Sequence, residues 1–266
     1  MRLLNRVGRP VRHSGILPRT GCRSALVFLT AVSLLLGADY NLPGAADTSY
    51  GTDGSTDSGF RRVVRDSNGF WYVVWENSSA SDVVMAYTTT TTPTVATDWG
   101  LITLVDNGNT GVISATPAKD ASGQSPALLM TRDDQLYMGW KYNLGGNLPS
   151  GYYSSKCTNL SALTVSSNWT TPARLDPGLS SIFNLVPRLS MALDERDVPH
   201  AVFVYDQNLQ QIAYTKFDTS SSTWLTYVNL TYATGNEVAL TTDLENNVYV
   251  AWRDSPASIY LLASSD

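Results

Sequence analysis

The chain is poor in the residues that staple, ligate or steer. Only two of its 266 residues are cysteine, Cys22 and Cys157, and only two are histidine. Cys22 falls in the stretch read below as a leader, so the mature chain keeps one thiol and no intramolecular disulfide is expected. No Cys or His cluster offers a metal site, and no cofactor is expected. Charged residues make up only 15% of the chain, and no apolar run is long enough to span a bilayer comfortably. Sustained helical periodicity is absent as well, which points away from helical folds.

What is present is apolar material for a core, 43% of the residues, in a chain of one large or two ordinary domains. The first acidic residue is Asp39. Before it stand Arg2, Arg6, Arg9, Arg12, Arg19 and Arg23, followed by the apolar run from Ala25 to Leu36. A basic segment leading into a short apolar stretch is the pattern of a secretory signal, so residues 1–38 are read as a signal peptide cleaved between 38 and 46. An organelle transit peptide is the alternative. Once the six arginines are set aside, 12 basic residues face 23 acidic ones. Such a surface repels phosphate backbones and anionic lipids, so neither nucleic acid nor membrane insertion after signal removal is expected. A secreted or cell-surface protein follows from this reading.

Internal repetition carries the architecture. Segments 59–76, 126–141, 187–204 and 236–253 share one plan: a lead of seven residues to an aspartate, a polar turn, and an apolar run closing on an aromatic. The aspartates are Asp66, Asp133, Asp194 and Asp243; the aromatics are Trp75, Trp140, Phe203 and Trp252. From aspartate to aromatic is nine residues in units one, three and four but seven in unit two, which predicts a turn two residues shorter there. Asp followed by Ser-Asn-Gly or Glu-Arg-Asp is turn chemistry, because the Asx side chain bonds amides just ahead of it. In the strand after the turn both parities are apolar, as for strands covered on both faces. His200 takes the strand position held by Tyr72, Tyr137 and Tyr249 in the other units. Each hairpin is followed by a Tyr-containing strand, and in three units by a Trp that opens one more, at Trp99, Trp169 and Trp224.

The expected fold is therefore all-β: a β-propeller of four-stranded antiparallel blades, about four units at 59–106, 124–177, 185–230 and 236–266, the last incomplete. A polar Gly/Ser/Thr/Asp-rich linker, 39–58, precedes them.

On these landmarks the chain resembles the sialidase-like, or BNR-repeat, propeller superfamily over most of residues 59–266. The family's Asp-box has a degenerate echo in the segment from Asp218 to Trp224, one residue too long and without the glycine. The resemblance implies an early arginine for a substrate carboxylate, matched by Phe60-Arg61, although Arg62-Val63 replaces the usual Ile-Pro. It also implies a catalytic acid, for which Asp82 is the counterpart. The remaining arginines and the Tyr/Glu nucleophile pair find no match. Hydrolysis needs that whole set, so no catalytic residue beyond the candidates Arg61 and Asp82 is assigned. Arg61, Arg62 and Arg188 are candidates for holding an anionic ligand. The expected function is a non-catalytic extracellular propeller that binds a glycan or protein. The alternatives are the front part of a sialidase-like hydrolase and a structural surface module without a specific ligand.

Overall fold

The computed structural model describes residues 63–77, 82–105, 111–113, 122–143, 151–176, 188–205, 211–231, 235–254 and 258–264. The signal peptide, the linker, Arg61 and Arg62 lie outside them. Four antiparallel sheets follow one another along the chain. The first contains β1 (Val63–Arg65), β2 (Trp71–Asn77), β3 (Asp82–Thr88) and β4 (Trp99–Val105), in that order. The second contains β5 (Ser122–Met130), β6 (Leu136–Asn143), β7 (Gly151–Cys157) and β8 (Ala173–Arg174). In the third, β9 (Leu189–Leu193), β10 (Pro199–Val204) and β11 (Ile212–Asp218) are completed by two short pieces against β11, β12 (Thr223–Trp224) and β13 (Val228–Thr231). The fourth has β14 (Gly235–Thr242), β15 (Val248–Asp254) and β16 (Ser258–Ser264). Among the described residues no helix is long and apolar enough to cross a membrane.

These blades stack face to face, which explains why both parities of the second strands are apolar. Blades 1 and 2 enclose Val64, Val74 and Met85 against Leu128, Met138 and Trp140. Blades 2 and 3 enclose Leu129 and Tyr152 against Leu189, Met191 and Phe203. Blades 3 and 4 enclose Val202 and Ile212 against Val238, Leu240 and Val250. The first strands succeed one another, β1 against β5, β5 against β9 and β9 against β14.

The first-to-second-strand turns share one geometry. In blades 1, 3 and 4 the leading aspartate accepts from the amide four residues on: Phe70, Val198 and Asn247, each at 2.8–2.9 Å. Its own amide donates to the carbonyl of that residue. The fourth turn residue adopts positive φ in every blade, at Gly69 (96°), Asp134 (60°), Asp197 (59°) and Asn246 (65°). Gly and Asx residues tolerate that region best.

This geometry corrects the register of the second blade. There the leading residue is Thr131, not Asp133: the Thr131 amide donates to the Gln135 carbonyl at 3.1 Å, and the Gln135 amide donates back to Thr131 Oγ1 at 2.9 Å. The turn is as long as the others, and Thr131 stands nine residues before Trp140. Asp133 sits two residues into the turn, accepting from the Thr131 hydroxyl and the Gln135 side-chain amide.

The landmark aromatics of blades 2, 3 and 4 face the preceding blade. Trp140 and Phe203 are fully buried there, whereas Trp252 is only half-buried against blade 3, short of the burial expected between blades. Trp75 is buried too, but on the face of blade 1 turned away from blade 2, beside Val84 and Ala86.

Candidate functional site

Antiparallel blades have two ends. One carries the first-to-second-strand turns and the third-to-fourth-strand loops; the other carries the second-to-third-strand loops and the inter-blade connections. At this second, loop end, ionisable side chains are drawn into the core around blade 2.

The chain leaves β8 through Arg174-Leu175-Asp176. Leu175 is fully buried, and its amide donates to the Tyr152 carbonyl at 2.9 Å. Period-two alternation then places Arg174 and Asp176 on a common side, where Arg174 Nε donates to Asp176 Oδ1 at 2.7 Å. Asp176 has no exposed surface and also accepts from the Tyr152 amide at 3.3 Å. Burial lifts its carboxyl above the ordinary carboxylate range, against the pull of Arg174 and two amides. Burial also disfavours the Arg174 cation, but the bond to Asp176 outweighs it and raises the guanidinium pKa. Because guanidinium does not deprotonate in proteins, the charged pair is the state we assign. Gly151 makes room for it: a Cβ there would lie 2.8 Å from Arg174 Nη2 and 2.9 Å from Asp176 Oδ2.

Arg174 also ends a row across three strands. Trp140 is paired with Tyr153, and Tyr153 with Arg174; the rings lie 6.2 Å apart and the guanidinium 5.9 Å from the Tyr153 ring. Trp140 Nε1 and Arg174 Nη2 are buried donors with no hydrogen-bond partner among the described residues. Tyr152, on the opposite face, donates to the Val204 carbonyl at 2.8 Å and accepts from the Arg188 amide at 3.2 Å. Lys141 is buried as well, and burial, partly offset by Glu76, brings its ammonium down to about 8. Glu76 itself accepts from the Ser125 amide at 3.4 Å, and Ser125 holds a φ of 49° within a bulge of β5.

Of the sequence candidates, Arg188 immediately precedes β9, half-exposed, with its carbonyl accepting from the Val204 amide at 3.3 Å. Asp82 is the first residue of β3, paired with Asn77. Sequence reading missed Arg174, Asp176 and Lys141. The signal for the first two was a basic and an acidic residue flanking one apolar residue directly after a strand. Among the described residues no group of three or more His, Cys, Asp or Glu is placed to hold a metal ion.

No protein-family profile and no curated protein sequence matches this chain. Solved structures do. An α-L-arabinofuranosidase from Lactobacillus brevis is similar at TM-score 0.52 and 12% identity, over 76% of this chain and 66% of that one. Four successive four-stranded-type sheets, stacked face to face, together with this likeness decide the architecture. The chain is a β-propeller. A xylan β-1,4-xylosidase from Bacillus halodurans is similar at TM-score 0.48 and 12% identity, over 78% of this propeller and 40% of that chain. An ulvan lyase of polysaccharide lyase family PL25 is similar at 0.47 and 8%, over 76% and 55%. The chain thus spans 40–66% of the length of these three structures.

The degenerate Asp-box echo lies in the third-to-fourth-strand turn of blade 3. Asp218 accepts from the Ser220 amide and hydroxyl and the Ser221 hydroxyl at 2.7–3.0 Å, which holds its carboxyl below the usual range. Trp224 then tucks inward and donates from Nε1 to Ser154 of blade 2 at 2.7 Å.

Proposed function

We propose that this protein is an exported β-propeller that binds a glycan at its loop end without cleaving it. The observation that carries the reading is the disposition of carboxylates there. A glycosidase needs two carboxyl groups flanking one bond, about 5–9.5 Å apart and open to the sugar. Asp176 is enclosed and ion-paired, and Glu237 is paired with Arg253 at 3.0 Å. Glu76 and Asp82 belong to one hairpin, but the register β2–β3 pairs Glu76 with Val83 and Asp82 with Asn77. The two acids therefore project from opposite faces of blade 1 and cannot flank one glycosidic oxygen. None of these loop-end carboxylates forms a pair arranged for hydrolysis.

The glycan assignment is supported by the fold shared with an arabinofuranosidase and by the partly exposed Arg174 side chain at the loop end, since guanidinium N–H groups suit hydroxyl and ring oxygens. Arg188, immediately before β9, adds cationic character to the same end, while the candidates Arg61 and Arg62 lie outside the described residues. Export rests on the Arg-rich, acid-free start of the chain.

The test uses the full chain, exported from its host, on an array of plant, bacterial and sialylated oligosaccharides, with sugar release measured in parallel. Retention without release is the expected result, weakened in Arg174→Lys. Release of sugar that disappears in Asp82→Asn would establish a hydrolase instead, and a folded protein that retains no glycan would leave a structural module.

A further inference from the structure

The blades meet at three seams, and at the turn end each seam has the same parts: the turn of one blade, the side chain six residues after the turn's leading residue, the residue paired with that side chain on the third strand, and the turn of the next blade. In the middle seam the paired residue is Lys156, opposite Tyr137. Its ammonium lies 5.6 Å from the centre of the Tyr137 ring and donates to Gln135 Oε1 at 3.2 Å. Arg132 closes the same seam through ion pairs with Glu195 at 3.1 Å and Asp197 at 3.6 Å. In the third seam the paired residue is again a lysine, Lys216 opposite His200, with Arg196 on the same wall.

The first seam has the frame without the cation. Tyr87 stands at the lysine position, opposite Tyr72, and a cleft of about 460 Å³ opens between blades 1 and 2. Asp66, Asp133 and Asp134 line it, and among the described residues its lining includes no Lys, Arg or His. The groups that hold these carboxylates are neutral: the Phe70 amide and Tyr72 hydroxyl on Asp66, Thr131 and Gln135 on Asp133, Ser67 on Asp134. Each carboxylate offers about four lone-pair sites, so acceptor capacity remains on all three. Tyr87 is a fixed wall, because its ring lies flat on Gly100, where a Cβ would come within 2.4 Å of Tyr87 Cζ.

We propose that this cleft binds a saccharide bearing a free primary amine, its ammonium taking the place that Lys156 fills in the middle seam. Aromatic faces attract a desolvated ammonium, and carboxylates supply the charge-assisted bonds. The rest of the lining decides between an amino sugar and a lysine side chain. Thr88, Thr89, Asn159 and Ser161 present neutral hydrogen-bonding groups, with Phe70 and Tyr87 as apolar surfaces. A sugar ring offers hydroxyls to the first set and a C–H face to the second; a lysine stem offers nothing to the hydroxyls and amide. The volume lies within the range of about 300–1,000 Å³ common for small-molecule sites. This cleft is at the opposite end from the glycan site proposed above and does not rest on it.

The experiment titrates the full chain by calorimetry with a tetramer of glucosamine, its fully N-acetylated counterpart and a tetralysine peptide. The free-amine sugar is expected to bind and the N-acetylated one to bind at least about tenfold more weakly, since acetylation removes the charge. Tyr87→Lys, which supplies the seam with its own ammonium, and Asp133→Asn should each abolish or weaken that binding, while unfolding midpoints stay near wild type. Arg174→Lys should leave it unchanged, which separates this cleft from the loop end. Equal binding of both sugars, undiminished binding in Tyr87→Lys, or binding of tetralysine but not of the sugar would each overturn the proposal.

Discussion

Ser67 of blade 1 donates to Asp134 of blade 2 twice, from its amide to Oδ1 at 2.7 Å and from its hydroxyl to Oδ2 at 2.5 Å. Sixty-seven residues separate the two in sequence. The same relationship recurs from blade 3 to blade 4, where the Glu195 amide donates to Asn246 Oδ1 at 3.0 Å. Between blades 2 and 3 the Arg132 side chain substitutes, reaching Asp197. In every case the second residue of one turn meets the fourth residue of the next. That fourth residue sits at positive φ, so one Asx residue serves the turn locally and its neighbour blade at a distance.

Asp134→Ala should therefore lose both functions. An alanine at positive φ costs roughly 1 kcal/mol and the two exposed bonds about 1–2 more, for a total near 2–3 kcal/mol in denaturant unfolding. Asp134→Gly should lose only the bonds, and Asp134→Asn should stay close to wild type. Equal losses in all three variants would show that the seam is held by something else.

The corrected register of blade 2 separates two aspartates that look alike in sequence. Asp194→Ala removes an acceptor of the Arg196 and Val198 amides and should cost about 1–2 kcal/mol. Asp133→Ala removes only side-chain partners and should cost less than half as much. Thr131→Val, which keeps shape but removes the hydroxyl, should resemble Asp194→Ala. The reverse order would restore Asp133 as the equivalent residue.

The two repeated aromatics at the ends of the third and fourth blades' second strands differ in enclosure. Phe203 is fully buried and lies 4.8 Å, ring to ring, from Tyr152. Truncation to alanine should cost about 3–5 kcal/mol. Trp252 is half-buried and stacks on the exposed Tyr260 at 5.4 Å, so Trp252→Ala should cost clearly less despite the larger ring. Urea midpoints of the two variants decide this.

Lys141 predicts a pH dependence. Its folded-state ammonium is brought to about 8 from an ordinary 10.5, mainly by burial. Below pH 8 both states are protonated and the full cost of the buried charge, on the order of 3 kcal/mol, weighs on the folded protein. Between about 8 and 10.5 the unfolded chain binds more protons, so stability from this residue rises with pH. Lys141→Met should remove the effect: the variant should exceed wild type most below pH 8, and the gap should close toward pH 10.5. A gap that stays constant across that range would show that burial does not govern this amine.

The sequence by itself determined the elements that depend on neighbours within a few residues. Asp194 and Asp243 announce their turns because a carboxylate bonds amides two and four positions on, and alternating apolar residues announce strands covered on both faces. From these came the all-β class, the four repeats and the propeller. In blade 2 the sequence leaves the turn open, because Thr131 and Asp133 can each begin one by local chemistry, and only the ladder β5–β6 chooses between them. Tertiary structure alone decided the rest. Whether Trp252 is enclosed depends on the blade beside it. The pairing of Arg174 with Asp176 needs the space left by Gly151, and the meeting of Ser67 with Asp134 needs two blades already stacked. The same holds for the first seam: Tyr87 differs from Lys156 at a glance, but the consequence appears only where three distant carboxylates face one cleft. Local bonds are written in consecutive residues, whereas burial and charge are set by whatever the fold brings alongside.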